Sequence, residues 1–160
     1  MLAEAIFAAG CFWGVQDIFD KLPGVMNTEV GYCGGTLINP SYEQVCTGKT
    51  GHAESLRIEY DPDVISYEKL LTVFWQSHNP TTLNRQGPDV GAQYRSAIFY
   101  LDESQKEIAE HSKASWQQSP VMKGRGKIVT EITKATPFYK AEEYHQHYHA
   151  KHGSSDSCPM

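Results

Sequence analysis

Long hydrophobic runs are missing from this chain: no apolar stretch approaches the roughly 18 residues of a membrane span, which excludes a helical transmembrane protein. Cysteine is scarce. Four cysteines in 160 residues are too few for a disulfide scaffold, so each has to be judged as a core residue, a ligand or a nucleophile. Positive charge is in deficit: 14 Lys and Arg against 19 Asp and Glu leave a net charge of −5, which argues against a general nucleic-acid or anionic-membrane binder. Repeats, long linkers and low-complexity blocks are absent, and the length predicts one domain. The short apolar run Ala5–Ala9 before Gly10-Cys11 lacks the basic flank and length of a secretory signal and follows Glu4. A cytoplasmic protein with reduced thiols is therefore expected. Aromatic residues are plentiful: 9 Tyr, 6 Phe and 3 Trp can fill an interior. A chain of this size buries roughly 70% of its unfolded surface without a staple.

Hydrophobic periodicity orders the elements. Residues 3–9 read as a short buried strand ended by Gly10. Val15, Ile18, Phe19 and Leu22 fall on one helical face, stopped by Pro23-Gly24. Met26, Thr28, Val30 and Tyr32 alternate as a half-buried strand, and residues 33–53 form a long Gly- and Pro-rich loop. Leu56, Ile58 and Tyr60 mark the clearest strand. Ser66 caps a helix through Leu70, Val73 and Phe74, ended by Asn79-Pro80. A second polar loop over 81–93 leads to a strand from Tyr94 to Leu101. Ser104 with Glu107 forms a capping box for a helix to about Trp116. A strand over Ile128–Ile132 and a short helix over 141–149 follow. The order β-α-β-β-α-β-α-β indicates an α/β (α+β) sandwich, a mixed sheet with helices packed on it, as a ferredoxin-like β-α-β-β-α-β variant with long loops. The catalytic domain is expected over residues 1–152, with a flexible tail over 153–160 carrying Cys158.

Cys11 sits where a strand feeds a helix, inside Gly10-Cys11-Phe12-Trp13-Gly14. Free N–H groups and the positive end of the helix dipole favour a thiolate there. The alternative is a buried structural thiol. Ionisation alone makes a weak enzyme. About 3% of a thiol at its reference pKa of ~8.5 is ionised at pH 7. Lowering the pKa by ~2 raises that roughly 25-fold, while nucleophilicity falls ~6–10-fold. A group acting on the leaving atom is needed. Glu54, the last residue before the alternating strand, can serve as an acid if burial raises its pKa. Tyr42 and Tyr94 can donate phenolic hydrogen bonds. The competing readings are a solvated strand-edge carboxylate and core aromatics with wet tips.

Cys33 and Cys46 read as small buried residues. Cys158, behind Gly153-Ser154-Ser155-Asp156-Ser157, is either an idle terminal thiol or a resolving partner for an oxidised cysteine. His145 and His149 have the i, i+4 spacing of a helical metal pair, but no cysteine or carboxylate stands at a zinc-finger spacing, so no metal is expected. Two rival functions remain: a cysteine hydrolase with His52 as base to Cys11, and a metal-binding or interaction protein using the histidine-rich end.

In sequence order, Gly10-Cys11-Phe12-Trp13-Gly14, Leu22-Pro23-Gly24-Val25, Gly31-Tyr32-Cys33-Gly34-Gly35, Asn39-Pro40-Ser41-Tyr42 and Thr50-Gly51-His52-Ala53-Glu54 resemble the class A peptide methionine sulfoxide reductases. So do Arg85-Gln86-Gly87-Pro88-Asp89, Gln93-Tyr94-Arg95-Ser96-Ala97-Ile98, Thr130-Glu131-Ile132 and Ala135-Thr136-Pro137-Phe138-Tyr139, covering the chain to about residue 149. The resemblance implies peptide-methionine (S)-S-oxide reductase activity on free or protein-bound methionine sulfoxide, a repair of oxidative damage. Cys11 would attack the sulfoxide sulfur, with Phe12 and Trp13 forming the pocket for the S-methyl group. Glu54 would protonate the oxygen, hydrogen-bonded also by Tyr42 and Tyr94, and Asp89 would organise the polar side. Cys11 would become a sulfenic acid, a second thiol would condense with it to a redox-active disulfide, and thioredoxin would reduce that. No metal or organic cofactor is implied, and a monomer is expected. The tail departs from the family pattern of a glycine-rich end with one or two recycling cysteines. It is short and serine-rich and carries only Cys158, the expected resolving residue, with Cys33 and Cys46 in reserve.

Overall fold

The computed structural model describes residues 2–148. Its centre is β1 (Ala3–Ala9), whose residues from Ala5 onward are all buried. Both faces of β1 are covered, which is why it reads as a continuous apolar run and not an alternating one. β1 pairs antiparallel with β3 (Ala53–Tyr60) on one side and β6 (Ser96–Tyr100) on the other. β2 (Val25–Cys33) pairs antiparallel with β3, and β8 (Tyr139–Lys140) with β2 at that edge. β7 (Glu131–Lys134) runs parallel to β6 at the opposite edge. The sheet order β7-β6-β1-β3-β2-β8 contains the split β-α-β arrangement expected from the sequence, with β3 inserted between β1 and β2.

Helices α1 (Phe12–Asp20), α3 (Tyr67–Gln76) and α4 (Glu103–Gln117) all contribute to one core cluster on one face of the sheet. Phe7 stands at its middle, with the rings of Phe74, Phe19 and Tyr67 at 5.1, 5.9 and 5.9 Å. The alternate residues Ile6 and Ala8 face a smaller cluster with Cys33, Ala53, Ala97 and Phe99, covered by Ala135 and Phe138. The remaining elements lie in the two long loops: α2 (Tyr42–Cys46) in the first, and a hairpin of β4 (Arg85–Gln86) with β5 (Asp89–Val90) in the second.

Several boundaries differ from the sequence reading, each for a local reason. On α1, Ile18 is 38% exposed, and the buried face is completed by Gln16, fully buried because its Nε2 donates to Thr28. On β2, Met26 is 61% exposed, because a bulge between Val25 and Asn27 shifts the register before the alternation resumes. α3 is capped by Ser66 as expected: its hydroxyl accepts from Lys69 N at 3.0 Å. α4 is capped not by Ser104 but by Asp102, whose carboxylate accepts from Gln105 N at 2.8 Å. The strand expected over Ile128–Ile132 is found at Glu131–Lys134, since the preceding backbone is tied elsewhere: Ile128 N to Gln117, Val129 N to Pro80 O, and Thr130 O to Lys113.

The expected helix over 141–149 is absent through residue 147. Its place is taken by a strap with one 3₁₀ turn, Glu143–His145, and a left-handed residue, His147. Side chains fix this strap where a helical ladder would otherwise run. Gln146 accepts from Val30 N at 3.0 Å and donates to Val30 O and Ala141 O at 2.9 and 3.0 Å. Gln146→Met keeps the volume and removes these bonds from Val30 N and Ala141 O, while Val30 O keeps its bond from Ala141 N at 2.9 Å. The expected loss is about 1–3 kcal/mol of stability in urea unfolding; an unchanged midpoint and slope would contradict this role.

Candidate active site

The helix-face end of the central strands carries the residues singled out by the sequence. Gly10, at φ 93, turns the chain out of β1, and Cys11 is the N-cap of α1. The first helical N–H, that of Phe12, donates to Glu54 Oε1 at 3.2 Å. One step from Cys11, a buried carboxyl therefore takes the place of water at the helix start.

Glu54 does not precede the alternating pattern of β3; it belongs to it. Glu54, Leu56, Ile58 and Tyr60 share the face turned to the helices, and Glu54 is 1% exposed. Burial, with the Asp89 carboxylate adding to it, raises its pKa to about 8 against the single stabilising bond from Phe12 N. The carboxyl is accordingly protonated at neutral pH. Its second oxygen, Oε2, is buried with no hydrogen-bond partner among the described residues.

Two tyrosines approach from the loops. Tyr42 opens α2, whose N-cap Ser41 forms a reciprocal capping box with Gln44. Tyr94 ends the 3₁₀ turn Ala92–Tyr94, which Gln93 ties to α2 by donating to Cys46 O at 3.5 Å. The two phenols are hydrogen-bonded to each other, and Tyr42 also to the Cys46 thiol. Burial and the nearby Glu54 push both phenols well above the ordinary tyrosine range, so they remain donors. Asp89 stands half-buried on the hairpin, its carboxyl raised by burial.

Phe12 and Trp13 are buried in an aromatic cluster. Phe12 lies 5.8 Å from Tyr32, 6.4 Å from Tyr42 and 5.3 Å from His145. The Trp13 indole stacks on Tyr148 at 3.6 Å and 7°, and its Nε1–H donates to His145 Nδ1 at 2.9 Å. His145 is thus a pocket residue, held neutral by burial. Glu142 on the same strap accepts from the Tyr32 hydroxyl at 2.9 Å and from Tyr42 N at 3.0 Å. Sequence reasoning missed Glu142, His145 and Tyr148 as site residues. The signal was their shared position two to eight residues beyond the last strand, in a segment too polar to be a core helix.

The rival base is engaged elsewhere. His52 Nδ1 accepts from Gly35 N at 3.1 Å, and its Nε2 is bonded to Leu37 O at 2.7 Å, so both ring nitrogens serve the 35–37 loop. Among the described residues no group of three potential metal ligands is present, and His149 lies outside them. Cys33 is buried and Cys46 half-buried, and both are free thiols. Cys11 is held in a disulfide. Cys158 lies outside the described residues.

Comparison with known proteins decides the family. The family described as peptide methionine sulfoxide reductase matches residues 3–160. The chain belongs to the peptide methionine sulfoxide reductase family. It is 57% identical over 145 residues to "Peptide methionine sulfoxide reductase MsrA" of Methanothermobacter thermautotrophicus, covering 91% of this chain and 85% of that protein. The fold superposes on the crystal structure of reduced Mxr1 from Saccharomyces cerevisiae with a TM-score of 0.90 and 37% identity, over 99% of this chain and 90% of that one. It also matches Mxr1 in complex with Trx2, with a TM-score of 0.65 and 25% identity, over 99% and 87% of the two chains. Like its relatives, this family member is a thiol-dependent oxidoreductase acting on methionine sulfoxide. No described helix is long and apolar enough to cross a membrane.

Proposed function

We propose that this reductase removes oxygen from methionine S-sulfoxide, free or in a polypeptide, by attack of Cys11 on sulfur with Glu54 as the acid. The carrying observation is the buried, protonated Glu54 carboxyl. One oxygen is fixed by the N–H that follows Cys11, and the other has no partner among the described residues. Sulfoxide oxygen leaves poorly without a proton, so the acid supplies what thiolate formation cannot. Tyr42 and Tyr94 donate to the same oxygen as its charge grows. Phe12 and Trp13 seat the S-methyl group, and Asp89 orders the polar side.

In the reaction the substrate sulfur is reduced by two electrons and leaves as methionine. Cys11 is oxidised by two electrons and takes the oxygen as a sulfenic acid. A second thiol displaces that oxygen as water and closes a disulfide. We assign this thiol to Cys158, which follows Gly153-Ser154-Ser155-Asp156-Ser157 near the end of the sequence. A dithiol protein then exchanges with the disulfide, and the solved complex of Mxr1 with Trx2 supports thioredoxin in that role. The polar groups of the site fit the reaction without a resident metal or organic cofactor. A cytoplasmic setting, where thioredoxin keeps thiols reduced, suits a chain with four cysteines.

The test uses each epimer of a methionine sulfoxide peptide, with dithiothreitol and separately with thioredoxin. The S epimer is expected to turn over with either reductant; failure of the S epimer with dithiothreitol would overturn the reading. Cys158→Ser is expected to keep dithiothreitol-supported turnover and lose most thioredoxin-supported turnover. Undiminished thioredoxin turnover would remove Cys158 from the cycle.

A further inference from the structure

Asp89 reaches the site on a two-stranded hairpin that pairs with no other strand. Such a short ribbon holds no fixed position by itself. Thr82 Oγ1 donates to Arg85 O at 2.6 Å, and the Gln86 side chain ties the hairpin to the chain before it. Gln86 Oε1 accepts from Asn79 N at 3.0 Å, and Nε2 donates to Asn79 O at 2.5 Å and to Thr82 Oγ1 at 3.2 Å. The amide thus pairs with the backbone of Asn79 as a strand neighbour would. The methylenes of Gln86 lie against the turn before Cys11: a Cβ on Gly10 would sit 2.7 Å from Gln86 Cγ. Gln86 and Asp89 are direct cross-strand partners, so they project from the same face of the ribbon. The face seated on Gly10 is therefore the face that bears Asp89.

We propose that Gln86 is a positioning residue: by seating the hairpin on the Gly10 turn it holds the Asp89 carboxylate beside Glu54. The proposal rests on Glu54 acting as the acid. The groups facing Glu54 are Asp89 from the hairpin, Tyr42 and Cys46 from α2, Tyr94 from the 3₁₀ turn, Tyr32 from β2 and Cys11 at the start of α1. Burial keeps the three phenols and the Cys46 thiol neutral around neutral pH, so that, apart from the reacting sulfur of Cys11 itself, Asp89 is the neighbour whose charge raises the Glu54 pKa. Removing that anion, or letting it swing away, makes Glu54 ionise at lower pH.

The experiment measures the pH dependence of single-turnover methionine formation in wild type, Glu54→Gln, Asp89→Asn, Gln86→Met and the Gln86→Met/Asp89→Asn double variant. Asp89→Asn and Gln86→Met are each expected to move the alkaline midpoint down by about half a pH unit, an approximately threefold loss of rate on that limb. The double variant is expected to show no shift beyond that of Asp89→Asn. An unmoved midpoint in Gln86→Met, or a further shift in the double variant, overturns the proposal. An alkaline limb that survives in Glu54→Gln overturns the acid assignment instead. Should Gln86→Met fail to fold, Gln86→Asn, which keeps the amide but cannot span both Asn79 groups, is read by the same criteria.

Discussion

Cys11→Ser is expected to reduce methionine formation by at least about 10⁴-fold, the scale on which removal of a nucleophile acts. A hydroxyl is a weak nucleophile at neutral pH, and serine has no counterpart of the sulfenic acid and the disulfide that complete the cycle. The fold should not suffer. Cys11 is the N-cap of α1 and makes no side-chain capping bond to the helix, whereas serine is among the preferred N-cap residues. The variant should melt at or above the temperature of reduced wild type, in which the Cys11 disulfide is likewise open, so the loss is separable from unfolding. Wild-type turnover by Cys11→Ser with dithiothreitol would refute the assignment.

Glu54→Gln carries the other large effect. The amide keeps the bond from Phe12 N but cannot give up a proton, so single-turnover methionine formation should fall by about 10²–10⁴-fold. In wild type the rate should decline as pH rises through about 8, where Glu54 ionises. That limb should vanish in the variant. Stability should move the other way. The folded-state pKa of Glu54 lies above its unfolded value, so between the two the unfolded chain binds fewer protons than the folded one, and stability is lost as pH rises. Near pH 7 this opposes folding by roughly 3 kcal/mol, a term absent from the amide. Glu54→Gln is expected to melt higher than wild type at pH 8 and alike at pH 4. A wild-type rate, or a lower melting point at pH 8, would contradict a buried catalytic acid.

The same residue shows how far the sequence can be read. Leu56, Ile58 and Tyr60 alternate so clearly that the strand is evident, and counting back two from Leu56 puts Glu54 on the inner face. A carboxyl there is a departure from the core pattern of the kind found at functional sites. Cys11 was legible because a strand-to-helix turn between glycines is visible in the chain. Elements were missed where tertiary bonds override local preference. Gln16 replaces Ile18 on the buried face of α1 because Thr28 and His147 supply partners for both ends of its amide. The strap over 141–148 looked helical from composition, but its bonds go to β2, α1 and α2, up to 132 residues away in sequence. The link between His145 and Trp13 is of that class: neither residue's neighbours in sequence announce it. Cys46 reads as a small buried thiol, yet it is half-buried and bonded to Tyr42, a contact set by the five-residue helix that joins them.

The central claim is that oxygen passes from the substrate to Cys11. The most direct test mixes Cys158→Ser protein with one equivalent of a methionine S-sulfoxide peptide, traps with dimedone and locates the adduct by peptide mass spectrometry. One equivalent of methionine with one dimedone adduct on the peptide bearing Cys11 is the predicted result. An adduct on Cys33 or Cys46, or methionine formed with Cys11 still a free thiol, would contradict it.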